Sequence, residues 1–180
     1  MRIPKEDTAA VVVDVQERLF PHIHDHEQLE QNLVKLIQGV KILGLPLIVT
    51  QQYTRGLGPT IPAVAEAVGE FTPLEKLTFS CCGDQGFMDA VKALGRKHIL
   101  LMGIEAHVCV LQTALDLLEQ GFQPVVIEDC ISSRRLNDKR VALRRMIQEG
   151  VMLSTYESIL FELCMVAGTD QFKAISRLVK

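Results

Sequence analysis

The chain has 180 residues, 48% hydrophobic and 23% charged, which suits one soluble domain able to bury a core without disulfides or metals. That balance excludes disorder, a collagen-like repeat and a coiled coil, and a net charge of −3 leaves no bulk basic field for nucleic acid or an anionic membrane. Aromatic residues make up only 5%, with no Trp, so broad stacking platforms for bases or sugars are not expected, and five cysteines, an odd number, do not read as a disulfide framework.

Met1 to Asp7 is short and polar, without the shape of a secretory signal, and no stretch reaches the roughly 18 apolar residues of a membrane span. A reducing cytoplasm is the expected compartment. Ala9 to Val13 is then a solid β-branched run closed by Asp14. Glu27 to Leu43 carries Leu29, Leu33, Leu36, Ile37 and Val40 on one helical stripe, with Gly44 as its stop. Leu45 to Thr50 is a second solid run. Gln51 to Thr72, with Gly56, Gly58, Pro59 and Pro62, is the one long irregular section, and loops of that length in a compact domain are often functional. Gln85 to Leu94 predicts a helix stopped by Gly95, His98 to Ile104 another strand, and Val108 to Gln120 a helix apolar nearly all round, stopped by Gly121. Pro124 to Ile127 is a further run. Asp138 to Glu149 predicts a helix with Asn137 as N-cap and Gly150 as stop. Val151 to Ser154 is a weaker run, and Tyr156 to Met165 and Asp170 to Val179 are the last helices.

Short solid runs rich in Val and Ile suit strands buried on both faces. Their alternation with helices predicts an α/β fold, a parallel sheet covered by helices on both faces, as one domain over residues 1–180. Ligands of such sheets bind beyond the carboxyl ends of the strands. Attention therefore falls on Asp14 and Gln16, on Gln51 to Tyr53, on Glu105 to Cys109, and on Asp129 with Cys130.

Asp14 closes a run of valines, so its carboxylate must be paired or hydrogen-bonded; a turn-former and a general base are both open readings. Cys109 lies where a strand turns into an apolar helix. A thiol there is either a small buried filler or a nucleophile whose thiolate the helix N-terminus favours, with free N–H groups for an oxyanion. Lys76, in Leu74-Glu75-Lys76-Leu77, reads on its own as solvent-exposed. Taken together, the three describe an acid, a lysine and a thiol in one crevice: Asp14 to take the thiol proton, Lys76 to offset charge, Cys109 to attack.

These segments resemble the isochorismatase-like cysteine hydrolase superfamily. The resemblance is carried by Val13-Asp14-Val15-Gln16, by Lys76 with Phe79-Ser80, and by the stretch from Gly103 to Ala114 that contains Glu105-Ala106-His107-Val108-Cys109. Val49-Thr50-Gln51-Gln52-Tyr53, Gly56-Leu57-Gly58-Pro59-Thr60, Ser132-Ser133-Arg134 and Glu157 to Leu163 are similar to the branch called isochorismatase domain-containing proteins. The match runs in order through nearly the whole chain. It implies a three-layer α/β/α fold with a six-stranded parallel sheet in the order 3-2-1-4-5-6. It implies an Asp-Lys-Cys triad at Asp14, Lys76 and Cys109, and a thioester-type adduct with a small amide or related carbonyl. It also implies an oxyanion hole from the N–H groups of Glu105 and Cys109, beside a cis peptide between Ile104 and Glu105.

Two departures narrow what the resemblance implies. Nicotinamidases of the family carry Asp and His metal ligands, whereas Gln51-Gln52-Tyr53-Thr54 has neither, so no metal or other cofactor is expected. Members that cleave the vinyl ether of isochorismate lack the cysteine, and Cys109 is present. Gln51 and Thr54 stand where Glu and Pro are more usual in the nearest branch.

Gln16, Phe20, Gln52, Tyr53, Phe79 and His107 are candidate pocket walls, placed only by their positions near strand ends and the nucleophile. His22-Ile23-His24-Asp25-His26 is read as a polar lead-in to a helix rather than a metal cluster. Cys130 and Cys164 are read as inert fillers, and Cys81 and Cys82 as reduced core or wall residues, with one placed to edge the pocket because they follow Ser80. The basic run from Arg134 to Arg145 is read as a solvated helix face rather than a nucleic-acid site. The expectation is a hydrolase of a small molecule, without nucleic-acid or membrane partners, forming a homo-oligomer. The rival readings are a binding protein of the same fold and a redox-sensing thiol protein.

Overall fold

Alternate residues of the first strand serve two different cores, and this sets the architecture. The structure is a computed structural model that describes residues 2–180. In β1 (Thr8–Val13) every residue is buried. Ala10 and Val12 point into one core while Ala9, Val11 and Val13 point into the other, as the two-residue period of a strand requires.

Around β1 lie, in chain order, α1 (His26–Ile42), β2 (Leu47–Gln52), α2 (Thr54–Leu57), α3 (Pro62–Val68), β3 (Leu74–Lys76), α4 (Gln85–Ala93), β4 (His98–Ile104), α5 (Leu111–Glu119), β5 (Gln123–Ser132), α6 (Leu136–Gln148), β6 (Met152–Ser154), α7 (Tyr156–Cys164) and α8 (Asp170–Val179). The six strands form one sheet in the order β3-β2-β1-β4-β5-β6, and every pairing is parallel. On one face Leu33, Leu36, Ile37 and Val40 of α1 pack with Ile159, Leu160 and Leu163 of α7. On the other, Phe87 and Val91 of α4, Ala114 and Leu117 of α5 and Met146 of α6 close the second core. The result is a three-layer α/β/α fold.

Because β1 leads to a helix on one face and β4 to a helix on the other, the chain diverges between their carboxyl ends, and a crevice opens there. Gly103 brings the two ends together. It has φ 119°, and a Cβ at that position would fall on the Val13 carbonyl. Only glycine permits so close an approach.

Several boundaries differ from expectation for identifiable reasons. β3 is a three-residue strand of Leu, Glu and Lys, too short and too polar to register as an apolar run. β5 does not stop at Ile127. Leu101 pairs with Val126 but Gly103 pairs with Ile131, so the strand crosses an irregularity at Glu128 and Asp129 and continues to Ser132. α6 starts at Leu136 with Arg135 as its N-cap, displacing Asn137 from that role. The stretch expected to be helical from Val108 instead begins as a single π-helical turn, Ala106–Val110, with the α-helix starting at Leu111. Within the irregular section, Thr54–Leu57 and Pro62–Val68 are short helices.

Candidate active site

Asp14 sits at the carboxyl end of β1 with φ 51° and is 1% exposed. Its two oxygens have different partners. Thr50 Oγ1 donates to Oδ1 at 2.8 Å, and Lys76 Nζ donates to Oδ2 at 2.7 Å. The register of β1, β2 and β3 explains the meeting: Val12 pairs with Val49 and Gln52 with Lys76, which carries all three strand ends to one level.

Lys76 is 2% exposed, which reverses the solvent-exposed reading its sequence context favours. Besides Asp14 it donates toward Gln52 Oε1 at 2.8 Å, the Phe79 carbonyl at 3.0 Å and the Thr78 carbonyl at 3.1 Å, so the three ammonium protons are fully engaged. Burial opposes its charge, but Asp14, with Cys81 and Cys109 behind it, outweighs burial and raises the pKa above the usual lysine value. Lys76 is therefore a fixed cation.

Cys109 lies in the π-helical turn and is 7% exposed. Burial, followed by the negative charge of Asp14, pushes its pKa well up, with Lys76 opposing. The α-helix proper starts two residues later, so desolvation and the adjacent carboxylate oppose the thiolate that a helix N-terminus would favour.

The peptide bond Ile104–Glu105 is cis. The Glu105 carbonyl accepts from the N–H groups of Val108 and Val110. Its carboxylate accepts from Arg134 N at 2.9 Å and Arg134 Nε at 3.1 Å, tying the turn to the end of β5. His107 Nδ1 lies 2.9 Å from Ser133 Oγ, which links the same two elements.

The candidate walls divide. Gln16 is fully buried; its Nε2 donates to the carbonyls of Gln52 and Gly58, and its Oε1 accepts from Gln52 N. It is a staple between loops and not a pocket wall. Phe20 is also corrected: it is buried in the α1-side core and stacks on His26 at 5.8 Å. Gln52 grips Lys76 through Oε1 and the Leu77 carbonyl through Nε2, so its amide is committed to holding the lysine. Tyr53 and Phe79 are half exposed, and Leu77 is more exposed still. They border the site, since Tyr53 N donates to the Lys76 carbonyl and the Phe79 carbonyl receives Lys76 Nζ.

One residue at the site, Thr50, is not among the candidates; strand register reveals it, since it lies beside the end of β1. Cys81, for which the sequence leaves a core or a wall position open, is fully buried, and its thiol reaches Thr50 Oγ1 at 3.8 Å. Burial raises its pKa to about 11.

Elsewhere, His22 ends a 3-10 turn (Phe20–His22), His24 lies in the link that follows and His26 opens α1, and among the described residues no group of three or more His, Cys, Asp or Glu is placed to hold a metal ion. No described helix is long and apolar enough to cross a membrane. A depression of about 620 Å³ between α1 and α3 is lined by Val34, Gln38, Ala63 and Glu66 and lies away from Asp14, Lys76 and Cys109.

With this geometry in hand, comparison with known proteins is direct. The family model described as the isochorismatase domain matches residues 8–158. The chain belongs to the isochorismatase family. It is 38% identical to isochorismatase domain-containing protein 2A of Mus musculus over 180 residues, covering 99% of this chain and 85% of the relative. Among solved structures it is similar to the MAR1 ribonuclease of Caenorhabditis elegans, with a TM-score of 0.92 and 37% identity over 99% of this chain and 92% of that one. It is also similar to the YcaC gene product of Escherichia coli, described as an octameric hydrolase of unknown specificity, with a TM-score of 0.93 and 27% identity over 99% of this chain and 89% of that one.

Proposed function

We propose that the protein is a cysteine hydrolase that cleaves a small amide or a related carbonyl compound through a covalent thioester-type intermediate. The observation that carries the reading is the convergence of a buried Asp14–Lys76 ion pair with a nearly buried Cys109 at the crevice between β1 and β4.

In this reading Asp14 takes the Cys109 proton as the sulfur attacks the substrate carbonyl carbon. A thiol held protonated at rest needs such a base, and the thiolate forms only as the proton moves. The carbonyl oxygen becomes an oxyanion received by the N–H groups of Glu105 and Cys109. As the carbon–nitrogen bond breaks, Asp14 returns the proton to the leaving amine. It then deprotonates the water that attacks the thioester, which releases the acid and restores the thiol. Lys76 keeps its protons throughout. It holds one carboxylate oxygen and balances the carboxylate's charge, so the base is not left unpaired in a dry site. Tyr53, Leu77 and Phe79 expose apolar surface on the segments next to Lys76, with His107 beside the nucleophile as a structural tie.

The ribonuclease activity named for the C. elegans protein is less well matched by this chain, whose net charge is −3. The octamer described for the E. coli protein supports self-association here too, and five free cysteines fit a reducing cytoplasm.

The test is a screen of small amides, with an RNA substrate alongside, against wild type and Cys109→Ala. Turnover of an amide by wild type that falls by on the order of 10³-fold in Cys109→Ala is expected. Full turnover by Cys109→Ala, or cleavage of RNA alone, would defeat the reading.

A further inference from the structure

Thr50 and Cys81 lie beneath the site, fully buried, and neither has a part in the chemistry above. Lys76 fixes one carboxylate oxygen of Asp14, and a carboxylate held at one oxygen can still roll about that contact. The second oxygen accepts from the Thr50 hydroxyl. That hydroxyl has one proton and two acceptors in reach, Asp14 Oδ1 at 2.8 Å and the Val12 carbonyl at 3.5 Å. The shorter bond to a charged oxygen wins.

The lone pairs of Thr50 Oγ1 face the Cys81 thiol, which donates to them at 3.8 Å. Burial raises the Cys81 pKa to about 11, so at neutral pH the sulfur keeps the proton it donates. Cys81 is itself anchored: its N–H donates to Thr113 Oγ1 at 2.9 Å. Thr113 lies on α5, four residues after Cys109. The contacts thus run from the helix that follows the nucleophile back to the carboxylate, through buried groups only.

We propose that Thr50 is a positioning residue that fixes the plane of the Asp14 carboxylate, and that the Cys81 thiol orients its hydroxyl for that task. The proposal rests on the reading of Asp14 as the base for Cys109. Removing the hydroxyl withdraws a hydrogen bond from the charged form of the carboxylate and frees it to turn. Both effects act on proton transfer from Cys109 and not on the sulfur itself.

The test uses the full-length protein and iodoacetamide as the probe, with the rate of Cys109 modification followed by peptide mass mapping as a function of pH. Thr50→Val is expected to slow modification about tenfold at neutral pH and to move the acidic limb of the profile upward by about one unit. Thr50→Ala gives the same shift and serves if the valine variant does not fold. Thr50→Ser keeps the hydroxyl and restores the wild-type limb. Cys81→Ala produces a smaller slowing, about two- to threefold, because the hydroxyl remains but loses its orienting donor. Asp14→Asn separates the two claims. If it slows modification while Thr50→Val and Thr50→Ala leave rate and limb unchanged, the positioning role is overturned and the base assignment stands. If Asp14→Asn reacts as wild type does, the base assignment falls and the positioning role falls with it.

Discussion

Two lysines sit close to aspartates near the carboxyl ends of strands, and their surroundings act on them in opposite directions. Lys76 touches Asp14 at 2.7 Å, with both side chains 1% exposed, and its pKa rises. Lys139 of α6 lies near Asp129 and Glu128 of β5, but no ion pair among the described residues includes it, and burial lowers its pKa. Asp129 responds in kind: burial raises its pKa, although Tyr156 N donates to its carboxylate at 2.9 Å. Burial alone drives both members of a pair toward neutrality, and direct contact is what reverses the sign. One lysine is part of a built ion pair, and the other is a cation tolerated in a half-buried place.

The largest expected effect comes from breaking the first arrangement. Lys76→Met leaves the Asp14 carboxylate buried with only Thr50 as partner, which costs about 3–5 kcal/mol of stability. Lys139→Met removes a charge that has no contact partner and changes stability by less than about 1 kcal/mol. Urea unfolding of both variants at neutral pH reads the difference. Equal losses would mean that contact with Asp14 is not what distinguishes the two lysines.

A subtler disturbance adds a competitor. Gln52→Glu places a second carboxylate against Lys76, where the Gln52 oxygen now accepts at 2.8 Å. The lysine must then divide itself between two anions in a buried site. Turnover is expected to fall about tenfold through kcat, with KM little changed. An unaffected kcat would show that the lysine need not be held by Asp14 alone.

How far this contrast can be read in the sequence differs residue by residue. Asp14 and Cys109 stand out because an acid or a thiol that ends a solid apolar run is conspicuous, and strand–helix alternation places both at carboxyl ends. Lys76 does not stand out. Nothing in Leu74-Glu75-Lys76 marks a strand, and only the pairing of β3 with β2 buries it. Its role entered through the resemblance of the chain to a family. Gln16 and Phe20 were misplaced because position after a strand says which end of the sheet a residue occupies but not which way its side chain turns. Thr50 does not stand out, because a hydroxyl in a β-branched run looks like packing until the register puts it beside a carboxylate, and the sequence leaves Cys81 open between core and pocket wall. The strand order likewise came from the resemblance, since alternation predicts a parallel sheet without ordering it.

A third pair lies between the two extremes. Arg134 Nε meets Glu105 at 3.1 Å, with the arginine 60% exposed and the glutamate 7%. Arg134→Ala removes the guanidinium but keeps the backbone N–H that donates to the same carboxylate oxygen. The expected loss is therefore about 1 kcal/mol in urea unfolding, well below that of Lys76→Met. A loss as large as that of the buried pair would mean that the exposed guanidinium, and not burial of both partners, secures the turn that carries Cys109.

The smallest effect is a slope with pH, and its sign separates the two lysines again. A lysine whose folded pKa lies below 10.5 destabilises the fold wherever it must be charged, so the Lys139 penalty is full at low pH and fades as pH rises through its folded pKa toward 10.5. A lysine whose folded pKa lies above 10.5 stabilises the fold up to that pH and loses its contribution as pH climbs through the higher value, as Lys76 does. Of the two lysines, only Lys139 contributes a rising stability between neutrality and pH 10.5. Subtracting the unfolding free energy of Lys139→Met from that of wild type across this range cancels the ionisations the two proteins share, and the difference is expected to move in favour of wild type as pH increases. A flat difference would place the folded pKa of Lys139 at its ordinary value, and the contrast would then rest on the contact between Lys76 and Asp14 alone.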